Sequence, residues 1–249
     1  RQTNINYLKL FRDTEMVIDS YNYMNNLFDE RIDFFNHGYS PSYPSYDDDI
    51  MKNRMTLYRY MLKDIITDGM KVLDVGCGRG GFSRVYKDFG FTEIHGCDIT
   101  PANITFAQEH YKFAKFTTCD AHYLTDMYQE EYFDVVTCLE SAHHYMYKDK
   151  FFEEVKKVLK KDGVFVYADV DAYINDHFDY IQEEDITENV KTSAYEIMIE
   201  CERLKLPDNV RDLTKHAYSL YTLQKKKYIK DRKSTRLNSS HRCISYAVF

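Results

Sequence analysis

The chain has 249 residues, 44% of them hydrophobic and 29% charged, so it is long enough to bury a sizeable core. Its net charge of −7 argues against nucleic acid as the main partner. No apolar run predicts a membrane span, no signal-peptide pattern is seen, and six cysteines without paired spacing fit a reducing compartment. We therefore expect a cytoplasmic globular protein, and the sequence does not indicate its oligomeric state.

Helices are predicted before the first strand. Residues 14–35 and 48–66 read as helices that flank the turn-rich sequence NHGYSPSYPSYDDD. We predict that residues 1–67 form a helical lid in which His37 and Tyr39 line the substrate pocket. The competing interpretation is that the segment around these two residues is a plain surface loop. Apolar neighbours would complete this pocket: Phe34, Phe35, Met51 and Met55.

Short β-branched runs alternate with amphipathic segments in the middle of the chain. The runs are KVLDV (71–75), EIHGCD (93–98), AKFTTCD (114–120), FDVVTCL (133–139) and VFVYADV (164–170). The segment DKFFEEVKKVLKKDG is helical by periodicity, and Gly163 is predicted to stop this helix. Parallel strands need crossover helices, so the pattern predicts a doubly wound, Rossmann-like α/β domain with a parallel sheet.

The end of the chain is predicted to be helical again. The main domain is predicted over residues 68–230, with a helical extension from about residue 171 that includes segments 178–205 and 207–229. No antiparallel strand pair is evident in this extension, so we predict that closing antiparallel strands are missing. Residues 231–249, which contain DRKSTRLNSSH (231–241) and ISYAVF (244–249), resemble a translated sequencing adapter and are predicted not to be native.

The sequence VLDVGCGRGGFS (72–83) ends a buried strand and opens a helix. Read as G-x-G-x-x-G, its glycines Gly76, Gly78 and Gly81 match the dinucleotide fingerprint, which alone is a weak indication of NAD. Read as D-x-G-x-G-x-G, it begins with Asp74, which would repel a pyrophosphate but attract an ammonium group. S-adenosylmethionine (SAM) carries an ammonium group and a carboxylate that could sit on helix N–H groups.

Further acids follow the next two strands. Asp98 ends the second strand about 20 residues after the glycines, where a carboxylate can accept hydrogen bonds from ribose hydroxyls. Asp120 and Ala121 follow the third strand, where Asp120 is placed to take the adenine amino group. A single strand-end aspartate can merely cap a turn. Three acids at three successive strand ends favour SAM over NAD.

Cysteines lie at or just past four strand ends: Cys77, Cys97, Cys119 and Cys138. A metal cluster is conceivable, because neighbouring strands would bring some of them together. However, a free cysteine usually behaves as a small buried hydrophobe, and no Cys-x-x-Cys pair is present to start a zinc site. We predict no metal.

The motifs VLDVGCGRGGFS, GCDIT, CDAHYL and FDVVTCLESAHHY resemble the successive motifs of class I SAM-dependent methyltransferases, over roughly residues 70–170. With FFNHGYSPS and VYADV they also resemble the phthiotriol/phenolphthiotriol dimycocerosate O-methyltransferases and related natural-product tailoring O-methyltransferases. The resemblance implies SAM as cofactor and a small-molecule acceptor. The predicted SAM-binding residues are Asp74, Gly76, Cys77, Gly78, Gly80, Asp98, Ile99, Asp120, Ala121 and Glu140.

Two adjacent histidines, His143 and His144, follow the fourth strand at the edge where open α/β sheets bind ligands. A histidine at a helix start is usually structural, and zinc is disfavoured because no third ligand is suitably spaced. Asp169 ends the fifth strand and could orient an imidazole. We predict His143, which the resembled group shares, as general base, with His144 as helper, Asp169 as orienting group and Tyr145 as an acceptor contact.

Together these features predict an O-methyltransferase that acts on a small, lipophilic or natural-product acceptor. Two alternatives remain open at this point: an N- or C-methyltransferase of the same fold, and a SAM-binding protein without catalytic activity. The sequence does not identify the acceptor, because many activities share this fold.

Overall fold

The computed structural model describes residues 14–28, 30–41, 51–169, 178, 180–206, 208, 210–212, 215 and 243–248. Its helices are α1 (Thr14–Leu27), α2 (Lys52–Leu62), α3 (Phe82–Asp88), α4 (Pro101–His110), α5 (Lys148–Val158) and α6 (Thr187–Arg203). Its strands are β1 (Lys71–Val75), β2 (Glu93–Asp98), β3 (Lys115–Thr118), β4 (Phe133–Leu139), β5 (Leu159–Asp169), β6 (Tyr180–Asp185) and β7 (Cys243–Val248). Short 3-10 helices, Ala121–Asp126 and Ala142–His144, follow β3 and β4.

The strands form one sheet in the order β3-β2-β1-β4-β5-β7-β6, in which β1 to β5 are parallel. The predicted doubly wound parallel sheet is therefore confirmed. The direction of winding reverses between β1 and β4, and pairing of these strands sets Asp74 opposite Thr137. Open α/β sheets bind ligands in the crevice at such a reversal, beyond the carboxyl ends of the strands.

Apolar side chains cover both faces of the sheet. Successive residues of a strand point to opposite faces, and Val72 and Leu73 of β1 accordingly belong to separate buried clusters. Helix α5 buries Phe151, Phe152 and Val155 completely, which confirms the face predicted from its periodicity. No helix in the described ranges is long and apolar enough to cross a membrane.

The antiparallel strand pair is present, so the prediction that it is missing is wrong. Strand β7 pairs antiparallel with β5 on one side and with β6 on the other. Strand β6 lies within the segment 178–205, which is predicted to be helical. The prediction misses this strand because the acid-rich sequence YIQEED has no clear strand pattern. The strand forms because it pairs with a segment distant in sequence, and this tertiary contact outweighs the local conformational preference of its residues.

Strand β7 lies in the segment attributed to an adapter. Its sequence CISYAV is rich in β-branched and aromatic residues, which suits a strand paired on both sides. Residues 231–242 and 249 lie outside the described residues. The origin of residues 231–249 stays a prediction.

Several predicted helices have different bounds in the structure. Helix α1 ends at Leu27, and residues 30–41 have no regular structure because their backbone bonds to other elements, as when Asp33 O accepts from the Gly81 N–H at 3.2 Å. Helix α5 ends at Val158, before the predicted stop, because the following residues already pair with β4. The predicted helix 207–229 lies almost wholly outside the described residues.

Candidate functional site

A cleft that is partly open to solvent lies beyond the carboxyl ends of β1 to β4. One wall comes from the glycine loop and the ends of β2 and β3, and the other from the turn after β4, α1 and residues 33–36. Most of the predicted SAM-binding residues line it: Gly76, Cys77, Gly78, Asp98, Ile99, Asp120, Ala121 and Glu140. The sheet topology therefore brings these residues together as predicted.

The cleft is strongly acidic. Four acidic residues line it, Asp33, Asp98, Asp120 and Glu140, of which Asp33 is paired with Arg84 at 2.6 Å, and no lysine or arginine occurs among the described lining residues. Because unlike charges attract most strongly where water is partly excluded, this lining favours a cationic ligand and disfavours a pyrophosphate.

The glycine loop approaches the turn after β4 very closely. Gly76 has φ +78°, and a Cβ added there would lie 1.9 Å from Oγ of Ser141. Only glycine fits such a contact in a left-handed conformation. Gly80 also has a positive φ, but its missing side chain makes room for Ala107 and Phe116, so it serves packing and does not line the cleft.

Asp98 ties the glycine loop to the loop after β2. Its Oδ2 accepts from the Gly78 N–H at 2.9 Å, while its Oδ1 accepts from the Thr100 N–H at 2.8 Å and from Asn103 Nδ2 at 3.1 Å. Burial raises the pKa of the Asp98 carboxyl, and these hydrogen bonds partly offset the rise. The carboxylate both shapes the loop and borders the cleft.

Asp74 differs from its predicted place, because it is completely buried and is not among the cleft-lining residues. Three hydroxyls donate to it: Thr137 Oγ1 at 2.5 Å, and Tyr58 and Tyr86 at 3.4 Å each. Burial raises the pKa of Asp74 to about 7, although these hydrogen bonds lower it. Tyr58, which does line the cleft, separates Asp74 from a direct contact that the sequence pattern alone suggested.

The turn after β4 begins with Glu140 in a left-handed conformation, φ +52°. Its N–H donates to Ala168 O at 2.7 Å, and its Oε2 accepts from the His37 N–H at 2.7 Å. Further on, Tyr145 lines the cleft, and its hydroxyl lies 2.8 Å from Oγ of Ser141. Burial raises the pKa of Tyr145 well above its ordinary value, so its hydroxyl stays protonated.

The two histidines differ in their surroundings. His143 Nδ1 lies 2.8 Å from Asp169 Oδ1, as the sequence predicts for an oriented imidazole. His144 lines the cleft, with Nε2 3.5 Å from the Tyr21 hydroxyl, whereas His143 is not among the cleft-lining residues. The two imidazole centroids are 4.0 Å apart, so the histidines form one unit at the cleft wall.

His37 and Tyr39 do not line the described cleft, contrary to prediction. Tyr39 is buried and stacks on Tyr60 with ring centroids 4.0 Å apart. His37 uses its backbone, donating to Glu140 and accepting from Ser193 Oγ at 2.7 Å. The same segment instead contributes its preceding residues to the cleft: Phe34, Phe35 and Asn36.

Comparison with known proteins decides the family. A family model described as a methyltransferase domain matches residues 66–228, well over half of the chain. The chain belongs to this methyltransferase family. Its matched region holds the glycine loop, the strand-end acids and both histidines.

Two curated relatives match this methyltransferase domain in part. A phthiotriol/phenolphthiotriol dimycocerosates methyltransferase 2 of Mycobacterium ulcerans (strain Agy99) is 36% identical over 119 residues, 47% of this chain and 45% of the relative. A fatty-acid O-methyltransferase of Mycolicibacterium smegmatis (strain ATCC 700084 / mc(2)155) is 31% identical over 152 residues, 57% of this chain and 54% of the relative. The chain therefore spans about half the length of these curated relatives.

Among solved structures, the cyclase SpnF is similar to the methyltransferase chain with a TM-score of 0.70 at 16% identity, covering 94% of this chain and 96% of that one. At this identity the likeness shows the fold alone. Since that protein is a cyclase, the fold by itself does not define the reaction.

Arg79, which the sequence analysis did not single out, connects helix α1, Phe28 and Ile32 to the methyltransferase core. Arg79 in the glycine loop is buried and donates to Asn25 Oδ1 at 2.8 Å, Ile32 O at 2.7 Å and Phe28 O at 3.3 Å. Asn25 Nδ2 in turn donates to Asn103 Oδ1 at 2.6 Å, and Asn103 donates to Asp98. A hydrogen-bonded path thus joins helix α1 to the acid predicted to hold the ribose.

Proposed function

We propose that this methyltransferase domain binds SAM and transfers its methyl group to a hydroxyl of a small, lipophilic or natural-product acceptor. The acidic lining of the cleft carries the proposal. SAM presents a sulfonium and an ammonium group, which the carboxylates of Asp98, Asp120 and Glu140 would attract. NAD would instead bring a pyrophosphate to a lining without a lysine or arginine among its described residues.

The described side chains fit the parts of SAM in chain order. Asp98 at the end of β2 would accept from the ribose hydroxyls, and Asp120 after β3 would accept from the adenine amino group. Glu140 and the backbone of Gly76 and Gly78 would meet the methionyl end. Asp74 would act indirectly, through the Tyr58 hydroxyl that it holds in the cleft wall.

SAM supplies an electrophilic methyl group, and the protein orients the acceptor and excludes water. A neutral hydroxyl is a poor nucleophile, so a positioned base adds about 10²–10⁴-fold. In the neutral tautomer that donates Nδ1–H to Asp169, His143 keeps Nε2 as the nitrogen that accepts a proton. We therefore propose His143 as the base. His144 is a second candidate because it lines the cleft.

The acceptor side of the cleft is apolar, with Val17, Phe34 and Phe35 in its lining. The relatives are named for phthiotriol/phenolphthiotriol dimycocerosates and for a fatty acid, which supports a lipophilic acceptor here. A fatty-acid carboxylate would meet the carboxylates of the cleft, whereas a neutral hydroxyl would not. We therefore propose an alcohol or phenol as acceptor, and not a free acid.

Calorimetry tests the first half of the proposal by comparing S-adenosylhomocysteine, SAM and NAD as ligands. We expect both sulfur ligands to bind and NAD not to bind, and Asp98→Asn to weaken SAM binding by about tenfold or more. The exposed Asp88→Asn is the matched control and should leave SAM affinity unchanged. Tight binding of NAD would contradict the proposal.

Transfer of a labelled methyl group from SAM tests the second half. We expect label in pooled lipophilic alcohols and phenols, and none in free fatty acids. Label on an amine or carbon atom would instead support an N- or C-methyltransferase. SAM binding without transfer to any pool would support a SAM-binding protein without catalytic activity.

A further inference from the structure

His122 holds one oxygen of Asp120 through two hydrogen bonds. Oδ1 of Asp120 accepts from the backbone N–H of His122 at 2.9 Å and from its ring Nδ1 at 2.6 Å. Both residues line the cleft, and the His122 side chain is only 10% exposed. A buried imidazole therefore fixes the carboxylate in one orientation.

The tautomer of His122 follows from its second contact. The backbone N–H of Tyr147 can only donate, and it lies 3.3 Å from Nε2 of His122. Nε2 must therefore accept, which puts the ring proton of neutral His122 on Nδ1, where it donates to Asp120. The imidazole thus makes Oδ1 of Asp120 fully occupied, and no described residue donates to Oδ2 of Asp120.

The ring of His122 is also held on its sides. Tyr145 and Tyr147 contact it edge to face, each with centroids 5.8 Å apart. With both nitrogens bonded and two aromatic neighbours, the ring has a single orientation. The carboxylate that it supports is equally fixed, and only its Oδ2 remains to meet a ligand in the cleft.

We propose that His122 is a positioning residue for base recognition, which fixes Asp120 Oδ2 as a hydrogen-bond acceptor in the cleft. A rigid, ionised acceptor selects a base that carries an exocyclic amino group. It rejects a base with a carbonyl at the same place, because two acceptors would then face each other without a donor. The site would therefore select adenine over hypoxanthine. This inference rests on the proposed SAM site and specifies how its base is chosen.

Two amide variants of His122 separate positioning from mere packing. Asn at position 122 keeps a side-chain donor near the place of Nδ1, so His122→Asn retains the contact with Asp120. Gln reaches the place of Nε2, so His122→Gln keeps an acceptor for the Tyr147 N–H and loses the contact with Asp120. The two variants carry the same functional group and differ mainly in which partner they reach.

Calorimetry with S-adenosylhomocysteine and S-inosylhomocysteine gives the readout. The unaltered protein and His122→Asn should bind the adenine ligand about tenfold or more tightly than the inosine ligand. In His122→Gln this ratio should fall to within about threefold, while its melting temperature stays near that of His122→Asn.

The outcomes distinguish this inference from the proposed function. Equal discrimination by His122→Gln and the unaltered protein would overturn the role of His122 while leaving SAM binding intact. No binding of either ligand to the unaltered protein would instead overturn the SAM site itself. If His122→Gln does not fold, His122→Phe removes the same donor, and unchanged discrimination in that variant would equally overturn the inference.

Discussion

His143 and Asp169 share two hydrogen bonds across the ends of neighbouring strands. The ring Nδ1 of His143 lies 2.8 Å from Oδ1 of Asp169, and its backbone N–H donates to Oδ2 at 3.0 Å. The Asp169 side chain is completely buried. Such a carboxylate fixes the orientation and tautomer of the imidazole, which is what a general base requires.

Replacing His143 with alanine should lower kcat by about 100-fold or more, because the acceptor hydroxyl loses its base. SAM affinity should stay within a few-fold, since His143 is not among the residues proposed to hold SAM. For a phenolic acceptor, raising the pH should restore part of the rate, because the acceptor then ionises without help. A matched His144→Ala variant is the comparison: a loss of kcat in that variant alone would move the base to His144.

Gly76→Ala should abolish ligand binding, because the new methyl group would collide with Ser141 at 1.9 Å. Gly69 offers a matched control, since it has a similar φ of +79° but no atom within 4 Å of an added Cβ. Gly69→Ala should therefore lower the melting temperature by a few degrees through backbone strain alone. S-adenosylhomocysteine titrations of both variants check this, and normal binding by Gly76→Ala would refute the steric argument.

Asp74 should make stability depend on pH. Its pKa is about 7 in the folded protein and 3.8 ordinarily, so the unfolded chain releases the proton at lower pH. Between about pH 4 and about pH 7, rising pH therefore favours unfolding through this group. The neutral variant Asp74→Asn lacks this effect. Its melting temperature relative to the unaltered protein should rise across this interval, and a constant difference would contradict the prediction.

Arg79→Leu should loosen helix α1 selectively. It leaves the carbonyl groups of Phe28 and Ile32 without this donor, which costs about 1–3 kcal/mol for the buried Ile32 group. Amide hydrogen exchange should then accelerate over residues 14–28 and remain slow in β1 and β4. Arg59→Leu, which removes only an exposed ion pair with Asp88, is the control and should change neither region. Uniform acceleration across the chain would instead indicate a general loss of stability.

The parallel sheet and most of the cleft-lining residues proposed to bind SAM were predictable because local patterns determine them. The β-branched runs recur at regular intervals, and Gly76, Asp98 and Asp120 each lie at or just after the end of a strand. Parallel pairing then brings those strand ends to one edge, whatever the intervening residues are. The contact between His143 and Asp169 follows from the same rule, since β4 and β5 are neighbours.

The remaining features depend on contacts between distant segments. Asp74 has a motif position that suggests a ligand contact, yet hydroxyls from three other elements surround it. In the sequence, Arg79 has the context of a solvent-exposed residue in a polar loop. It is buried because helix α1 and the residues that follow it pack over it. For His122 the sequence offers one weak indication, its position two residues after Asp120. From there its ring can reach the aspartate carboxylate. Strand β6 depends on a partner that follows it by some distance in sequence.

Helix α1 packs on the rest of the protein through few buried side chains. Among its fourteen residues only Val17 is buried, so its detachment exposes far less apolar surface than unfolding of the sheet. Yet Val17 and Tyr21 of this helix line the cleft, and Asn25 bonds to Asn103, which in turn bonds to Asp98. The helix can therefore act as a gate that swings away while the core stays folded. We expect the product to leave by opening of this helix.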